Sequence, residues 1–274
     1  MTTDDLGDRM KAYEAVEGRR FESGLPIYAR IDGRAFSRFT RGMKRPFDPA
    51  MSKAMVDTTK GLVADTHARI GYTQSDEISL VWLAEGEAQA FFDGRVQKLC
   101  SVLAGLATAH FTAALYASDE LRDRARGLPH FDCRVLQLPS KAESANMFLW
   151  RELDARKNAV SMAAQSVFSH KQLQGKGQRD MLEMLAGAGV DFNAYPASFT
   201  RGTFVRRVSV ERTLTQAERE AILEKHRPAP EAVVTRTELA VLHMPRFSEV
   251  ENREAVIFDG DAALTRIRAA KGGE

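Results

Sequence analysis

The segment Tyr72–Leu80, YTQSDEISL, places two adjacent acids, Asp76 and Glu77, at the mouth of a β-prone apolar run. Carboxylates are poor strand formers, so their position asks for a reason. Gln74-Ser75-Asp76 is ordinary turn chemistry, and a turn facing water is the plain explanation. The other explanation is that the pair holds cations. What the rest of the chain brings to that turn separates the two.

Working outward, ARIGYT and EISLVWL read as two strands joined by Gln74-Ser75-Asp76. Before them, FDPAMSKAMVDTTKGLVADTHARI opens with Asp48 as a helix cap and Pro49 at the first helical position. Its Met51, Met55, Leu62 and Val63 recur at helical spacing, which predicts a helix to about His67. Earlier still, LPIYARI (Leu25–Ile31) is a short strand stopping at Asp32-Gly33, and a charged helix is expected over Asp4–Gly18. After the hairpin the pattern predicts a long helix from about Glu87 to Ala117, then a strand in HFDCRVLQLP (His130–Pro139).

Residues 1–140 therefore read β-α-β-β-α-β, an α+β fold of the ferredoxin-like kind. In that arrangement the first and third strands are antiparallel neighbours, and the spatial order is 4-1-3-2. Asp32, ending the first strand, then meets Asp76 and Glu77, opening the third. Three converging carboxylates repel one another unless a cation neutralises them. An oxygen-only donor set selects a hard ion such as Mg²⁺, and two such ions serve both oxygens of a phosphoryl displacement.

DGRAFSRFTRGMKRPFD follows the first acid directly. Gly33 allows a tight turn, and a short helix from Arg34 to Phe39 would aim backbone N–H groups at an anion. Arg34, Arg38, Arg41, Lys44 and Arg45 form a basic run; alone it is a solvated face, but beside carboxylates it fits a triphosphate. Phe36 and Phe39 read as core.

Residues 141–274 read as helices and a hairpin packed on the first part. ESANMFLWRELDARKNAVSMAAQSVF is a long helix with Phe148, Ala155, Ala159 and Met162 near one face and Trp150 packed. Arg151 and Asn158, two turns apart, share a side that can approach phosphate. SFTRGTFVRRVSV reads as a turn and a strand, with Arg201, Arg206 and Arg207, like Arg151, as candidate RNA-backbone contacts. HRPAPEAVVTRTE breaks the last helix and leads to a final strand.

The 274 residues are 44% hydrophobic and 28% charged with a net charge of +2, which leaves room for a core and says little about partners. Two cysteines, Cys100 and Cys133, with no CxxC pair, argue against structural zinc and suit a reducing cytoplasm. The N-terminus lacks an apolar signal region, and no uninterrupted apolar run approaches the ~18 residues of a membrane span. A soluble cytoplasmic protein without a membrane partner is expected.

Taken together, RIDGRAFSRF, KRPFD, YTQSDEISLVW, FDCRVLQLPS, WRELDARKN, LQG and RGT resemble the tRNA-His guanylyltransferase family, in the family's order from about Arg30 to Thr203. The resemblance implies a palm like that of polymerases and nucleotide cyclases, adding nucleotides to the 5′ end of RNA. It implies two Mg²⁺ ions on Asp32, Gly33 (through its carbonyl) and Asp76. Glu77 would help, making Asp32, Asp76 and Glu77 the catalytic set. It implies that Asp32, Gly33, Arg34, Ala35, Phe36 and Ser37, with Ser75 and Asp76, contact the nucleotide; Lys44, Arg45 and Asn158 join this set. ATP or GTP would activate the 5′ phosphate, tRNA would be the acceptor, and a homotetramer or dimer of dimers is implied.

One departure is informative. Where eukaryotic members read His-Ile-Asn-Asn-Leu-Tyr-Asn, this chain reads RKNAVSM (Arg156–Met162), keeping Asn158 but replacing the histidine by Arg156 and the last asparagine by Met162. That resembles the guanylyltransferase-like proteins of bacteria and archaea, and favours templated repair of 5′-truncated tRNA over strict G addition to tRNA-His. The rival classes are a nucleotide cyclase, which shares the metal acids, and a non-catalytic tRNA-binding protein.

Overall fold

The computed structural model describes residues 3–86 and 90–265. In chain order it contains α1 (Thr3–Val16), β1 (Ile27–Gly33), α2 (Phe36–Phe39), α3 (Pro49–Thr66), β2 (Ile70–Gln74), β3 (Glu77–Trp82), α4 (Val96–Ala117), β4 (Phe131–Gln137), α5 (Lys141–Val167), α6 (His170–Leu173), α7 (Gln178–Gly187), α8 (Ala197–Thr200), β5 (Thr203–Thr213), α9 (Gln216–Glu220), β6 (Val233–Val241) and α10 (Arg253–Phe258). Asp48 caps α3 as its position before Pro49 suggests: its carboxylate accepts from the Ala50 and Met51 N–H groups at 3.0 and 3.1 Å.

The strands form one antiparallel sheet in the order β4-β1-β3-β2-β5-β6. Strand alternation sends Ile27, Ala29 and Ile31 of β1 and Ile78, Leu80 and Trp82 of β3 to one face, where α3 and α4 cover them. The opposite face carries Tyr28, Tyr72 and Val81, which pack with Phe148 of α5 and Val256, Ile257 and Phe258 of α10. The second half of α5 runs on past this core and gathers Leu173, Leu185 and Phe192 around Ala159, Val160 and Ala163.

Several expectations need adjusting. The helix expected from Glu87 begins at Val96; residues 87–89 lie outside the described residues, and Phe92, Asp93 and Gly94 adopt left-handed φ values no helix accepts. By length and composition α4 is apolar enough to cross a membrane. In this fold its Leu99, Leu103, Ala107, Phe111 and Leu115 stripe is buried, each large side chain contributing roughly 1.5–3 kcal/mol. Beyond residue 140 the chain does more than pack on the sheet: β5 pairs with β2 and extends it, and a further helix, α10, follows the final strand. Both cysteines are free and partly buried.

Candidate active site

Pairing of β1 with β3 sets Asp32 opposite Glu77, and pairing with β4 sets it opposite Asp132, an acid that the sequence motifs do not flag. The turn between β2 and β3 is the two residues Ser75 and Asp76, with Ser75 left-handed at φ 50°. The Gly33 N–H donates to the Asp76 carbonyl at 3.0 Å, tying this turn to the end of β1. Gly33 is needed for close approach: a Cβ there would lie 2.4 Å from the Phe36 ring. That ring packs against Phe39, Phe111 and Phe131, so Phe36 is core as expected, and Ala35 takes a left-handed φ of 56° to enter α2.

The two acids of the opening segment part company here. Asp76 sits in the turn, its Oδ1 accepting from the Ser75 hydroxyl at 3.1 Å. Burial, and next the charge of Asp32, push its carboxyl above the usual range. Among the described residues neither Asp32 nor Asp76 has a Lys, Arg or His at ion-pair distance. Glu77, the first residue of β3, points beneath α5 and takes a bidentate bond from Arg151, Nε to Oε1 at 2.6 Å and Nη2 to Oε2 at 2.7 Å. Arg30 adds a longer contact of 3.8 Å. Burial raises the Glu77 carboxyl while these cations pull against it.

Glu77 is therefore spent on structure, and the expected meeting of three acids is not present: no group of three or more His, Cys, Asp or Glu among the described residues is placed to hold a metal. Arg151 is corrected with it, being 5% exposed and fully engaged by Glu77 and Asp154. Two more of the arginines assigned to RNA serve the fold instead. Arg206 donates to the Val256 and Asp261 carbonyls at 3.0 Å, and Arg207 to the Ala64 carbonyl and the His67 ring at the end of α3. Both tie off helix ends, where carbonyls lack partners. Arg201 donates to the Met244 carbonyl at 3.3 Å and faces Glu152 at 3.8 Å.

A cleft of about 530 Å³ opens beside the turn. Of the residues expected to bind nucleotide, Phe36, Ser37, Lys44, Arg45, Ser75, Asp76 and Asn158 line it; Asp32, Gly33, Arg34 and Ala35, at the end of β1 and in the following turn, are not part of its lining. Lys44 reaches Glu120 at 3.3 Å across an exposed gap. Asn158 donates to Asp154 at 3.3 Å, so the chain Glu77–Arg151–Asp154–Asn158 connects the sheet floor to the cleft wall. The wall also holds an aromatic pair that the motifs left out, Phe47 stacked on Phe199 with ring centroids 4.9 Å apart and planes at 19°. Both rings lie inside quoted motifs, KRPFD and SFTRGT, but nothing in either pattern says that the two meet. Ala155, Ala159 and Met162, which read as a core stripe of α5, line the cleft as well. Trp150, expected to pack, is half exposed and lies under the Arg151 guanidinium, 4.6 Å from its centroid.

Two carboxylates that are oxygen donors only, with Asp76 raised in pKa by burial and by the charge of Asp32, suit a divalent hard cation. Cations and a stacked aromatic wall across the same cleft suit the phosphates and base of a nucleotide.

A family model described as tRNAHis guanylyltransferase matches residues 7–139. The fold is similar to that of a bacterial tRNA(HIS) guanylyltransferase (Thg1)-like protein in complex with ATP: TM-score 0.74, 32% identity, covering 92% of this chain and 97% of that one. Similar too is a bacterial protein of the same description in complex with GTP, with a TM-score of 0.68 and 29% identity, covering 89% of this chain and 94% of that one. The tRNA(His) guanylyltransferase of Debaryomyces hansenii is 25% identical over 199 residues, spanning 66% of this chain and 73% of the yeast protein.

Proposed function

The chain belongs to the tRNA-His guanylyltransferase family, whose members are nucleotidyltransferases, and we propose that it adds nucleotides to the 5′ end of tRNA in the 3′-to-5′ direction, repairing truncated ends against the opposite strand. The observation that carries this reading is the approach of Asp32 to Asp76, neither with a cationic partner among the described residues, where Asp76 lines a cleft shared with Lys44, Arg45 and a stacked aromatic pair. The four strands β4-β1-β3-β2 would act as the palm that presents those acids.

Asp32 and Asp76 would hold Mg²⁺, which when bound offsets the charge that develops on phosphorus oxygens. The protein's own part is positioning. Lys44 and Arg45 draw the triphosphate into the cleft, Ser37 supplies a hydroxyl donor, Ser75 supports Asp76 through its own hydroxyl, and Asn158 is held in place through Asp154. Phe47 and Phe199 provide a flat apolar wall for a base, which any base can use, so base choice falls to pairing with the template. In the first step an oxygen of the RNA 5′-phosphate attacks the α-phosphorus of ATP and pyrophosphate leaves. In the second, the 3′-hydroxyl of the incoming nucleotide attacks the activated 5′ phosphorus, AMP leaves, and the hydroxyl proton passes to solvent. No side-chain nucleophile is required.

The test uses tRNA lacking its first 5′ nucleotide, Mg²⁺ and all four triphosphates, with the template base opposite the gap varied and Asp76→Ala as control. The expected result is extension by the complementary nucleotide, lost in the variant. Addition of G whatever the template base would overturn templated repair in favour of guanylyl transfer, and tRNA binding without nucleotide consumption would overturn the polymerase reading.

A further inference from the structure

The chain's two cysteines are far apart in sequence and take no part in the chemistry above, yet they meet. Cys100 stands in the second turn of α4 beside the buried Leu99, and Cys133 lies in β4, the edge strand of the sheet. Two observations bring them together. The Thr108 hydroxyl of α4 accepts the Phe131 N–H of β4 at 3.2 Å, so the line of α4 that carries Cys100, Ala104 and Thr108, at intervals of four, runs along this strand. Cys133 follows Phe131 by two residues on the same face of β4, and both pack against the core of α3 and α4. Independently of that line, the Cys133 thiol has the Cys100 side chain as its hydrogen-bond partner. Both thiols are free and half-buried.

The two thiols are not equivalent. Burial, and next the neighbouring Cys100, hold Cys133 far above the ordinary thiol range, so it stays protonated. Nucleophilic attack therefore falls to Cys100, with Cys133 in place as the thiol that resolves the product. A peroxide is the matching oxidant. The Cys100 sulfur attacks one oxygen of hydrogen peroxide, the O–O bond breaks, and the thiol proton leaves with the departing hydroxyl as water, which makes Cys100 a sulfenic acid. The Cys133 sulfur then attacks the Cys100 sulfur, the S–O bond breaks, and the Cys133 proton leaves with that hydroxyl as a second water. Two thiols and one peroxide thus give one disulfide and two waters, and an added dithiol reverses the bond.

What such a bond acts on is decided by the strand. Across the ladder Cys133 faces Ile31, and its neighbour Asp132 faces Asp32. As an edge strand, β4 has β1 on one side only, so a pull toward α4 is opposed by that single pairing. Closing a thiol contact to covalent length draws β4 toward α4 and carries the strain through the pairing to the end of β1. We propose that Cys100 and Cys133 are a peroxide-sensitive thiol pair whose reversible disulfide staples α4 to the sheet edge and weakens nucleotide binding at the Asp32 and Asp76 end of the sheet. The coupling to the cleft rests on the nucleotidyltransferase reading above; the bond itself does not.

The test treats the reduced full chain with hydrogen peroxide and counts thiols after denaturation with a thiol-reactive chromophore. Wild type should fall from two thiols to none without cross-linked chains on a non-reducing gel, and digestion should release one peptide pair joined through Cys100 and Cys133. The melting temperature of the oxidised form should rise by roughly 5–10 °C, because a long loop is closed, and dithiothreitol should abolish the rise. Cys133→Ala should stop at a Cys100 sulfenic acid that dimedone traps, whereas Cys100→Ser should leave Cys133 unreacted. Calorimetry with ATP and Mg²⁺ should show binding weakened about fivefold or more by oxidation of wild type and unchanged by the same treatment of Cys100→Ser. Two thiols surviving peroxide, or their loss only as cross-links between chains, overturns the pair. A disulfide that forms without changing ATP affinity overturns the coupling. A protein that forms the bond but binds no ATP in either state sinks the nucleotide reading and leaves the pair standing.

Discussion

At the rim of the sheet Asp32 and Asp76 stand without a cationic partner among the described residues, whereas one residue further along, beneath α5, Glu77 is gripped by both arms of Arg151, and Glu152 accepts a buried N–H. The same kind of side chain thus serves two ends. Beneath α5 the carboxylates find their counter-charges inside the protein and become part of the framework. At the rim they are left without an internal counter-charge among the described residues, and in the proposed function an ion from solution would complete them. The two regions are also joined, since Arg151 reaches through Asp154 to Asn158 in the cleft wall. A buried ion pair of this sort adds little net stability compared with apolar packing, but losing one partner is expensive. Its more telling role here is to fix the turn that carries Asp76 relative to the helix that carries Asn158.

The contrast makes ordered predictions. Asp76→Ala should cut nucleotidyl transfer by about 10⁴-fold, ~5 kcal/mol of transition-state stabilisation, in single-turnover assays, with unfolding little changed. Equal activity would erase the distinction between rim and floor. Arg151→Met should do the reverse, lowering stability by ~3–5 kcal/mol in urea unfolding because Glu77 is left buried and unpaired. The double variant Glu77→Leu/Arg151→Met should recover most of that loss, and failure to recover would mean that the arginine's packing matters more than its charge. Gly33→Ala should cost ~1–3 kcal/mol by driving a methyl into the Phe36 ring, and should shift the Asp76 turn through the Gly33–Asp76 bond.

The smallest effect is the sharpest in sign. Asp76 has a raised carboxyl pKa in the fold, so its ionised form is a penalty that is fully present above the folded pKa, shrinks as pH falls and is gone below the unfolded value. Asp76→Asn should therefore raise the metal-free Tm at neutral pH by a few degrees at most, with the gain disappearing under acid conditions. Mg²⁺ added to wild type should narrow the same gap. A variant less stable than wild type at neutral pH would show that the rim acids are not strained by each other's charge.

Much of this was legible from residue patterns. The turn at Ser75-Asp76, the cap at Asp48 and the alternation in β1 and β3 are local signals, and antiparallel pairing then obliges Asp32 and Asp76 to meet. The fate of Glu77 was not legible, because it depends on which face α5 turns to the sheet, and Arg151 looks like any charged residue on a helix until that face is known. Phe47 and Phe199 are far apart in sequence and join only through the packing of α8 against α5. Arg206 and Arg207 read as cations for RNA because helix ends that need tying off are invisible in a strand's own sequence. The Phe92–Gly94 backbone stops α4 short for a similar reason: composition favoured helix, and the chain's need to return over the sheet overruled it.

The hairpin of β5 and β6 has a mechanical consequence. Among the described residues only Thr203, Phe204 and Val205 pair with β2, Arg206 and Arg207 clamp the next step to helix ends, and beyond Arg207 the two strands pair only with each other as far as Thr213 and Val233, with Arg212 also held by Glu218 of α9 near the tip. Such a ribbon is a cantilever some 20 Å long, at about 3.4 Å per residue, rooted in the rigid sheet and compliant at its tip. Amide exchange should accelerate steadily from root to tip along one continuous strand. A load gripped near Thr213 would bend the beam long before it disturbed the carboxylates at the other end of the sheet.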